Sequence, residues 1–357
     1  MSDWLLDAPM SVPGKKADTP LHEFLIRLMR GENLSFADSA RFFRALTALD
    51  ANPAQIAGCL VSLASKGETY EELAGMARAM REQALPIKTH HSDFIDLAGT
   101  GSSPVKTFNI STAASFVAAG AGLAVAKHTS RGVTSRLGSA DALNGLGINI
   151  SGDPKLAQAC LNGAGLAFLF APTFHPTLRR VADMRRSLGI RTTLNLLGAL
   201  SNPSAAPFQL LGVWHPSLVE PMAQALALLG IRKAWVVHGT DGLDEVTING
   251  PTLVAEVGGN KIQTFEVTPQ DFGLQGGDFS TIKASTAAES ATIIREVLES
   301  RRRDEARSLV VANAAAALII GGKSKNPLQA ARMAEQSIDS GSARIKLDRL
   351  VQTTNKK

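Results

Sequence analysis

The chain has 357 residues, 45% hydrophobic and 19% charged, which excludes a disordered or fibrous protein and leaves room for two domains. Aromatics are only 5%, too few for a base-stacking platform, and a formal charge of +5 is met by an anionic small substrate or by solubility without invoking nucleic acid. Two distant cysteines in apolar surroundings, Cys59 and Cys160, read as core residues of a reducing compartment with no zinc spacing.

Residues 1–19, with Pro9 and Pro13, read as a loose lead-in without a secretory core. From His22 the pattern is helical, with Phe24, Leu25, Leu28 and Met29 on one face and a stop at Gly31. Ser35 caps a second helix carrying Phe42, Phe43 and Leu46. Asn52-Pro53 opens a third, with Ile56, Leu60 and Leu63, closing at Gly67. Thr69 with Glu72 forms a capping box for a fourth. No strand signal precedes Asp93, so an all-helical unit is expected first, with packing or self-association as its role.

The texture then changes. Short apolar strands at Phe94–Leu97, Leu123–Ala126, Ala167–Phe170, Leu210–Val213 and Ala234–Val237 alternate with helices, the signature of a mainly parallel sheet covered on both faces. An arginine-rich helix spans 177–188. Residues 245–267 read as strand-like with turns at Asn249-Gly250 and Gly258-Gly259-Asn260, an antiparallel ribbon. Helices follow at Thr286–Arg302 and Glu305–Ile320, and a last one starts near Pro327 and pauses around Gly341. The apolar runs near 113–126 and 309–321 are too short or too glycine-broken to span a bilayer, so a cytoplasmic protein is expected. The domain boundaries that follow are 1–92, completed by about 176–205, for the helical domain, and 93–175 with 206–357 for the α/β domain.

The stretch Asp96–Thr112, DLAGTGSSPVKTFNIST, organises the chain. A buried strand runs into a loop with Gly99 and Gly101, and the loop delivers a helix start with Ser111 or Thr112 as N-cap. Free backbone N–H groups and a helix dipole there suit a phosphate. After the second strand comes Lys127-His128-Thr129-Ser130-Arg131, with Ser135 and Gly138-Ser139 beyond; this loop leaves a neighbouring strand end and places cations and hydroxyls beside the same anion. Asp241, Asp244 and Glu245 follow the strand ending near His238. Alone they read as a solvated turn; facing a polyphosphate they suit Mg²⁺, which takes few protein oxygens. Arg185, beside the loop with His175, has the geometry to grip a carboxylate, while Arg179, Arg180 and Arg186 read as a solvent-facing basic surface. There is no Ser/His/Asp relay and no cysteine beside a base. Positioning and charge stabilisation are therefore the expected catalytic devices.

These pieces together resemble the anthranilate phosphoribosyltransferase family, from about residue 22 to 350. The matching segments are SLASKGETYEELAG, GTG…TFNIST, VAKH..R, GSADALNGLGI, FLFAPTFHPTLRRVADMRRSLGIRTTLNLLG and GTDGLDEVT, in the same order and spacing. The resemblance implies a small helical domain beside a large α/β domain, a homodimer through the helical domain, and transfer of phosphoribose from phosphoribosyl pyrophosphate to the amine of anthranilate. It also implies site roles. Gly99, Thr107, Asn109, Ser111, Thr112, Lys127, Ser135 and Ser139 would hold phosphoribosyl pyrophosphate, and Ser111, Asp244 and Glu245 would hold Mg²⁺. Arg185 would meet the anthranilate carboxylate, with His128 and Ser130 on the acceptor path, and Lys127, Arg185, Asp244 and Glu245 would carry catalysis.

The sequence departs from the family at the substrate loops. Ser102-Ser103 stand where the family has Gly-Asp after GTG, Thr129-Ser130 where it has Gly-Asn, and Ala199 where it has proline. Two alternatives stay open on these grounds: a paralogue on the same scaffold using another aromatic or heterocyclic acceptor, and a non-catalytic relative whose basic surface binds nucleic acid. A nucleoside phosphorylase of related architecture fits less well, because the NIST and Asp-Glu pieces suit a pyrophosphorylated donor.

Overall fold

The structure, a computed structural model, describes residues 19–101, 103, 105–131, 138–151 and 153–356, with 280 and 281 described by backbone alone. The lead-in before residue 19, together with Ser102 and Ser135, lies outside them. The chain forms two compact units: residues up to Ala84 together with His175–Ser201, and Leu85–Phe174 together with Asn202–Lys357.

The described residues open with four helices, α1 (Pro20–Met29), α2 (Phe36–Leu46), α3 (Pro53–Lys66) and α4 (Tyr70–Glu82). Each start follows the sequence. Thr19, Ser35 and Asn52 accept backbone N–H bonds at their helix N-termini, and Thr69 and Glu72 complete a capping box. The chain then enters a sheet through β1 (Phe94–Gly99), α5 (Ile110–Gly120), β2 (Ala124–Thr129), α6 (Ser139–Gly145), α7 (Pro154–Ala164), β3 (Leu166–Phe170) and the short α8 (Ala171–Phe174). It returns to the helical unit for α9 (Arg179–Leu188) and α10 (Thr193–Leu200). It comes back as β4 (Phe208–Gly212), α11 (Val219–Leu228), β5 (Lys233–Gly239), β6 (Thr252–Gly258) and β7 (Lys261–Val267). Four helices close the chain: α12 (Ala287–Leu298), α13 (Glu305–Ile320), α14 (Pro327–Asp339) and α15 (Ser342–Thr354).

In the helical unit Phe24, Phe42 and Phe43 are fully buried, the first two edge to face at 5.5 Å. Gly75 of α4 lies against the Phe36 carbonyl of α2, where any side chain would collide, so these helices cross in close contact. The returning helices are tied in by polar bonds. Arg81 Nε donates to Leu200 O at 2.8 Å, Arg180 Nη1 to Thr47 O at 3.1 Å, and the Thr193 hydroxyl to Glu68.

In the second unit one sheet of seven strands runs β3-β2-β1-β4-β5-β6-β7. The first five are parallel and the last two antiparallel, the mainly parallel α/β sheet expected from the sequence. The core strands are buried along their length because helices cover both faces. Among those helices α5 and α13 are rich in buried alanine, which permits close approach: Gly120 of α5 sits where a Cβ would be 2.7 Å from the Ala343 amide of α15.

Three expectations need correction. Lys127, His128 and Thr129 are not in a loop. They continue β2, paired with Phe168, Leu169 and Phe170, and the His128 amide donates to the buried Asp96 carboxylate at 3.0 Å. The N-cap of α5 is Asn109, not Ser111 or Thr112; its carbonyl already accepts the Ala113 amide, which places both hydroxyl residues in the first turn. The antiparallel ribbon begins only at Thr252, because 246–251 is a turn pinned by Asn313, whose Oδ1 accepts the Val246 amide at 3.0 Å and whose Nδ2 donates to Val246 O at 2.9 Å.

Candidate active site

The strand order fixes where a site can lie. From β1 the chain crosses to β2 on one side, while β4 and β5 lie on the other, so loops diverge at the carboxyl ends of β1 and β4. Ligands of open α/β sheets bind at such a switch point. Gly99 and Gly212, the last residues of β1 and β4, stand opposite each other there. Both are glycine for a spatial reason. A Cβ on Gly212 would overlap the Asp244 carbonyl oxygen, and one on Gly99 would lie 3.3 Å from Asp244 Oδ2. The loop after β5 thus folds back over the switch point, and only glycines leave it room.

That loop is shaped by Asp241. Its carboxylate accepts the Leu243 amide at 3.1 Å and the Thr247 hydroxyl at 2.6 Å, so this acid is spent on the turn. Asp244 and Glu245 remain. Glu245 Oε1 accepts the Ser111 amide, from the first turn of α5, at 3.2 Å. Lys127, buried in β2, donates to the Leu97 carbonyl and, at 3.1 Å, to Ser111 Oγ. Glu245, Ser111 and Lys127 therefore meet at the carboxyl ends of the strands.

The electrostatics of this group are unbalanced. Burial and the neighbouring Asp244 push Glu245 up to about 8, against the pull of Lys127 and the Ser111 hydrogen bonds. Burial also raises Asp244, opposed by backbone hydrogen bonds and by Lys106 and His238. Burial lowers Lys127, opposed by Asp96, Glu245 and Asp244. Two adjacent, partly buried carboxylates with one buried lysine nearby favour a further positive charge. Their all-oxygen donor set suits a hard cation such as Mg²⁺. Among the described residues no three His, Cys, Asp or Glu side chains form a metal-holding group. The remaining coordination positions of such a cation then fall to water and to a ligand's own oxygens.

The other expected residues of the α/β unit that the structure describes fall in or near the same loops. Asn109 caps α5, and Thr107 Oγ1 donates to the neighbouring Phe108 carbonyl at 3.1 Å. Thr112 is fully buried, and its Oγ1 has no hydrogen-bond partner among the described residues. Ser130 follows β2. Ser139 begins α6, and its hydroxyl donates to Ser130 O at 3.3 Å. Arg185 belongs to the helical unit, where its Nη2 donates to Asn195 Oδ1 at 3.4 Å. Sequence reading missed Gly212 and Asp96; each is an ordinary residue made special only by tertiary neighbours. Ser103, one of the departures, ties the β1 loop to the β5 loop by donating to the Gly242 carbonyl at 2.8 Å.

Comparison with known proteins agrees with this fold. Residues 22–84 match the family model of the glycosyl transferase helical bundle domain, and 91–344 that of the glycosyl transferase α/β domain. The chain is 48% identical to the anthranilate phosphoribosyltransferase of Moorella thermoacetica, over 91% of this chain and 96% of that one. It is 42% identical to that of Rubrobacter xylanophilus, over 94% and 98%. Among solved structures, the Thermus thermophilus anthranilate phosphoribosyltransferase superposes with a TM-score of 0.88 at 37% identity, covering 93% of this chain and 99% of that one. The Saccharomyces cerevisiae enzyme in complex with phosphoribosyl pyrophosphate and magnesium gives 0.86 at 26% identity, covering 94% and 98%. From its paired domains and its likeness to these enzymes over nearly the whole length, the chain belongs to the anthranilate phosphoribosyltransferase family.

Proposed function

We propose that the protein is a magnesium-dependent transferase of tryptophan biosynthesis, moving phosphoribose from phosphoribosyl pyrophosphate to the amine of anthranilate with release of pyrophosphate. The observation that carries this reading is the meeting of the Ser111 amide, the Glu245 carboxylate and Lys127 at the carboxyl end of a parallel sheet. The names of the relatives support anthranilate as acceptor over another aromatic amine, and a nucleic-acid-binding role has no comparable support.

Breaking the ribosyl C1–O bond builds positive charge on the sugar and negative charge on the departing diphosphate. Asn109, Ser111 and Thr112 at the α5 N-terminus, with Gly99, Thr107, Ser135 and Ser139, would hold the donor's oxygens in line. Asp244, Glu245 and Ser111 would hold Mg²⁺, whose contribution when bound is to neutralise the diphosphate. Lys127 would place its ammonium on the leaving group. Arg185 is assigned the anthranilate carboxylate, and His128 and Ser130 the acceptor side. An aromatic amine is already nucleophilic, so no strong general base is required.

The test is fluorimetric. Protein with Mg²⁺, phosphoribosyl pyrophosphate and anthranilate should consume anthranilate fluorescence, and omission of Mg²⁺ should stop it. Absence of turnover during long incubation rejects the reading. The protein is further proposed to act in the cytoplasm as a homodimer through its helical unit. Sedimentation velocity would test the dimer.

A further inference from the structure

The ladder between β1 and β2 stops early, and side chains complete it. The two strands pair at Phe94↔Ala124 and Ile95↔Val125, whereas β1 stays paired with β4 as far as Gly99, and β2 with β3 as far as Thr129. Carried on in the same register, Leu97 would stand opposite Lys127. It would give its N–H to the Ala126 carbonyl and take the His128 N–H on its own carbonyl. The structure spends these groups otherwise. The Ala126 carbonyl accepts Asn202 Nδ2 at 2.7 Å, the His128 N–H goes to Asp96 Oδ1 at 3.0 Å, and the Leu97 carbonyl accepts the Lys127 ammonium. Asp96, Lys127 and Asn202 are all buried, so each bond answers a backbone group in the interior.

Lys127 is thereby bracketed: Asn202 holds the carbonyl before it and Asp96 the amide after it. Asn202 is itself fixed. Its Oδ1 accepts the Ser204 amide at 2.8 Å and the Ser204 hydroxyl at 2.6 Å, which turns its NH₂ to the strand. Asp96 Oδ2 in turn meets Gln209 Nε2 of β4 at 3.4 Å. The Leu97 carbonyl is left to the lysine, whose ammonium also reaches Ser111 Oγ at 3.1 Å. We propose that Asn202 and Asp96 are positioning residues of the donor site: standing in for the missing ladder, they hold β1 and β2 apart and keep the Lys127 ammonium at the Leu97 carbonyl beside the first turn of α5. The inference rests on the function proposed above and goes two residues beyond it. Nothing in the local sequence announces the role of Asn202, because 76 positions separate it from the carbonyl it serves.

The test is a double-mutant cycle on the full chain with Asn202→Ala, Lys127→Met and the pair, reading the Kd for phosphoribosyl pyrophosphate with magnesium by calorimetric titration. Asn202 carries no charge, so its removal acts on the lysine through the strand. Donor Kd should rise about tenfold in Asn202→Ala, the size of one well-oriented hydrogen bond. On the Lys127→Met background the same substitution should add no more than about twofold, because the group it positions is gone. Asn202→Asp keeps the shape and the Ser204 bonds but has no proton to give the Ala126 carbonyl at neutral pH. It should show the same loss and serves if the alanine variant is insoluble. The other half of the bracket is read by hydrogen exchange resolved to single amides. In Asp96→Ala the His128 amide should exchange at least about tenfold faster, while the Val125 amide, bonded to the Gly165 carbonyl, should keep its rate.

A donor Kd within about twofold of wild type in the Asn202 variants, or an equal loss with and without Lys127, overturns the inference. So does an unaltered His128 exchange rate in Asp96→Ala. A purely structural asparagine would lower the melting temperature and weaken donor binding alike on both backgrounds. Titration of the unaltered protein with magnesium and phosphoribosyl pyrophosphate separates the two levels. No binding there removes the functional reading and this inference with it; binding there with unchanged affinity in Asn202→Ala removes the inference alone.

Discussion

The Ser111 amide stands 3.2 Å from Glu245 Oε1, although 134 positions separate them in the chain. The bond joins the N-terminus of α5 to the acidic loop after β5. In doing so it places a carboxylate on the positive end of a helix dipole, where a ligand's phosphate would otherwise be the natural partner. On the function proposed above, a cation held by these carboxylates would let a phosphate approach the same helix end.

Glu245→Gln should separate these two duties. Glutamine keeps an oxygen to accept the Ser111 amide, so the fold should stand, but the charge is lost. The Mg²⁺ concentration for half-maximal turnover should rise roughly 100-fold, while thermal stability without metal should hold or increase because a repelled, buried acid has been removed. Turnover measured against Mg²⁺ from micromolar to tens of millimolar decides it. An unchanged Mg²⁺ profile would remove Glu245 from the cation site.

Gly212 makes a sharper prediction because its reason is purely spatial. A methyl group there would overlap the Asp244 carbonyl oxygen and force the acidic loop off the sheet. Gly212→Ala should destabilise by about 1–3 kcal/mol and weaken Mg²⁺-dependent donor binding about tenfold or more. Gly99→Ala, with 3.3 Å to Asp244 Oδ2, should be milder on both counts. Denaturant midpoints and calorimetric titration of the two variants give the comparison; equal effects would mean that the Asp244 backbone is not the critical neighbour.

The sequence made some of this legible and concealed the rest for identifiable reasons. The Thr69–Glu72 capping box and the strand leading to Gly99 are local patterns that form where their residues say, and a helix does start in the Asn109–Thr112 stretch, though its cap is Asn109. The end of β2 was hidden because Lys127-His128-Thr129 are polar, and hydrophobic pattern alone stops the strand at Ala126. The strand continues because β3 supplies its ladder and Asp96 accepts the His128 amide from below. Ser111 looked like a cap because hydroxyls usually are. Asn109 took that position, and its own side chain is engaged by Ser290. Gly212 and Asp241 show the same limit. One is a glycine for a loop that follows the next strand, and the other is an acid used up by its own turn, neither of which spacing can reveal.

Glu72 gives a test away from the site. It is fully buried and accepts three bonds at 2.8 Å, from the Leu34 amide, the Thr69 amide and Lys66 Nζ. The capping box explains only the Thr69 bond. The other two make Glu72 the polar centre of the helical unit, with Lys66 itself 8% exposed. Glu72→Ala should cost about 3–5 kcal/mol, because it leaves a nearly buried lysine unpaired and two amides unbonded. Glu72→Gln should cost less, since it keeps an acceptor. Urea denaturation followed by circular dichroism checks both; a loss under about 1 kcal/mol for the alanine variant would mean that water replaces the carboxylate there.

His175 gives the pH dependence. Burial holds its imidazole neutral and pushes its pKa down from 6.5 to about 4, against backbone hydrogen bonds at Ser201 and Met80 that pull it up. The unfolded chain protonates this histidine near 6.5, whereas the folded chain resists until about 4. Between those values the unfolded state binds more protons, so stability rises with pH across that window and is lost as pH falls through it. Above 6.5 both states are neutral and the effect vanishes. The full loss, reached near pH 4, is on the order of 3 kcal/mol. Melting temperatures at pH 4.5, 5.5, 6.5 and 7.5 should fall toward acid in the unaltered protein and fall less steeply in His175→Gln, which cannot take up the proton. Parallel pH curves for the two proteins would show that His175 titrates alike folded and unfolded, and that the acid sensitivity of the chain lies with its carboxylates.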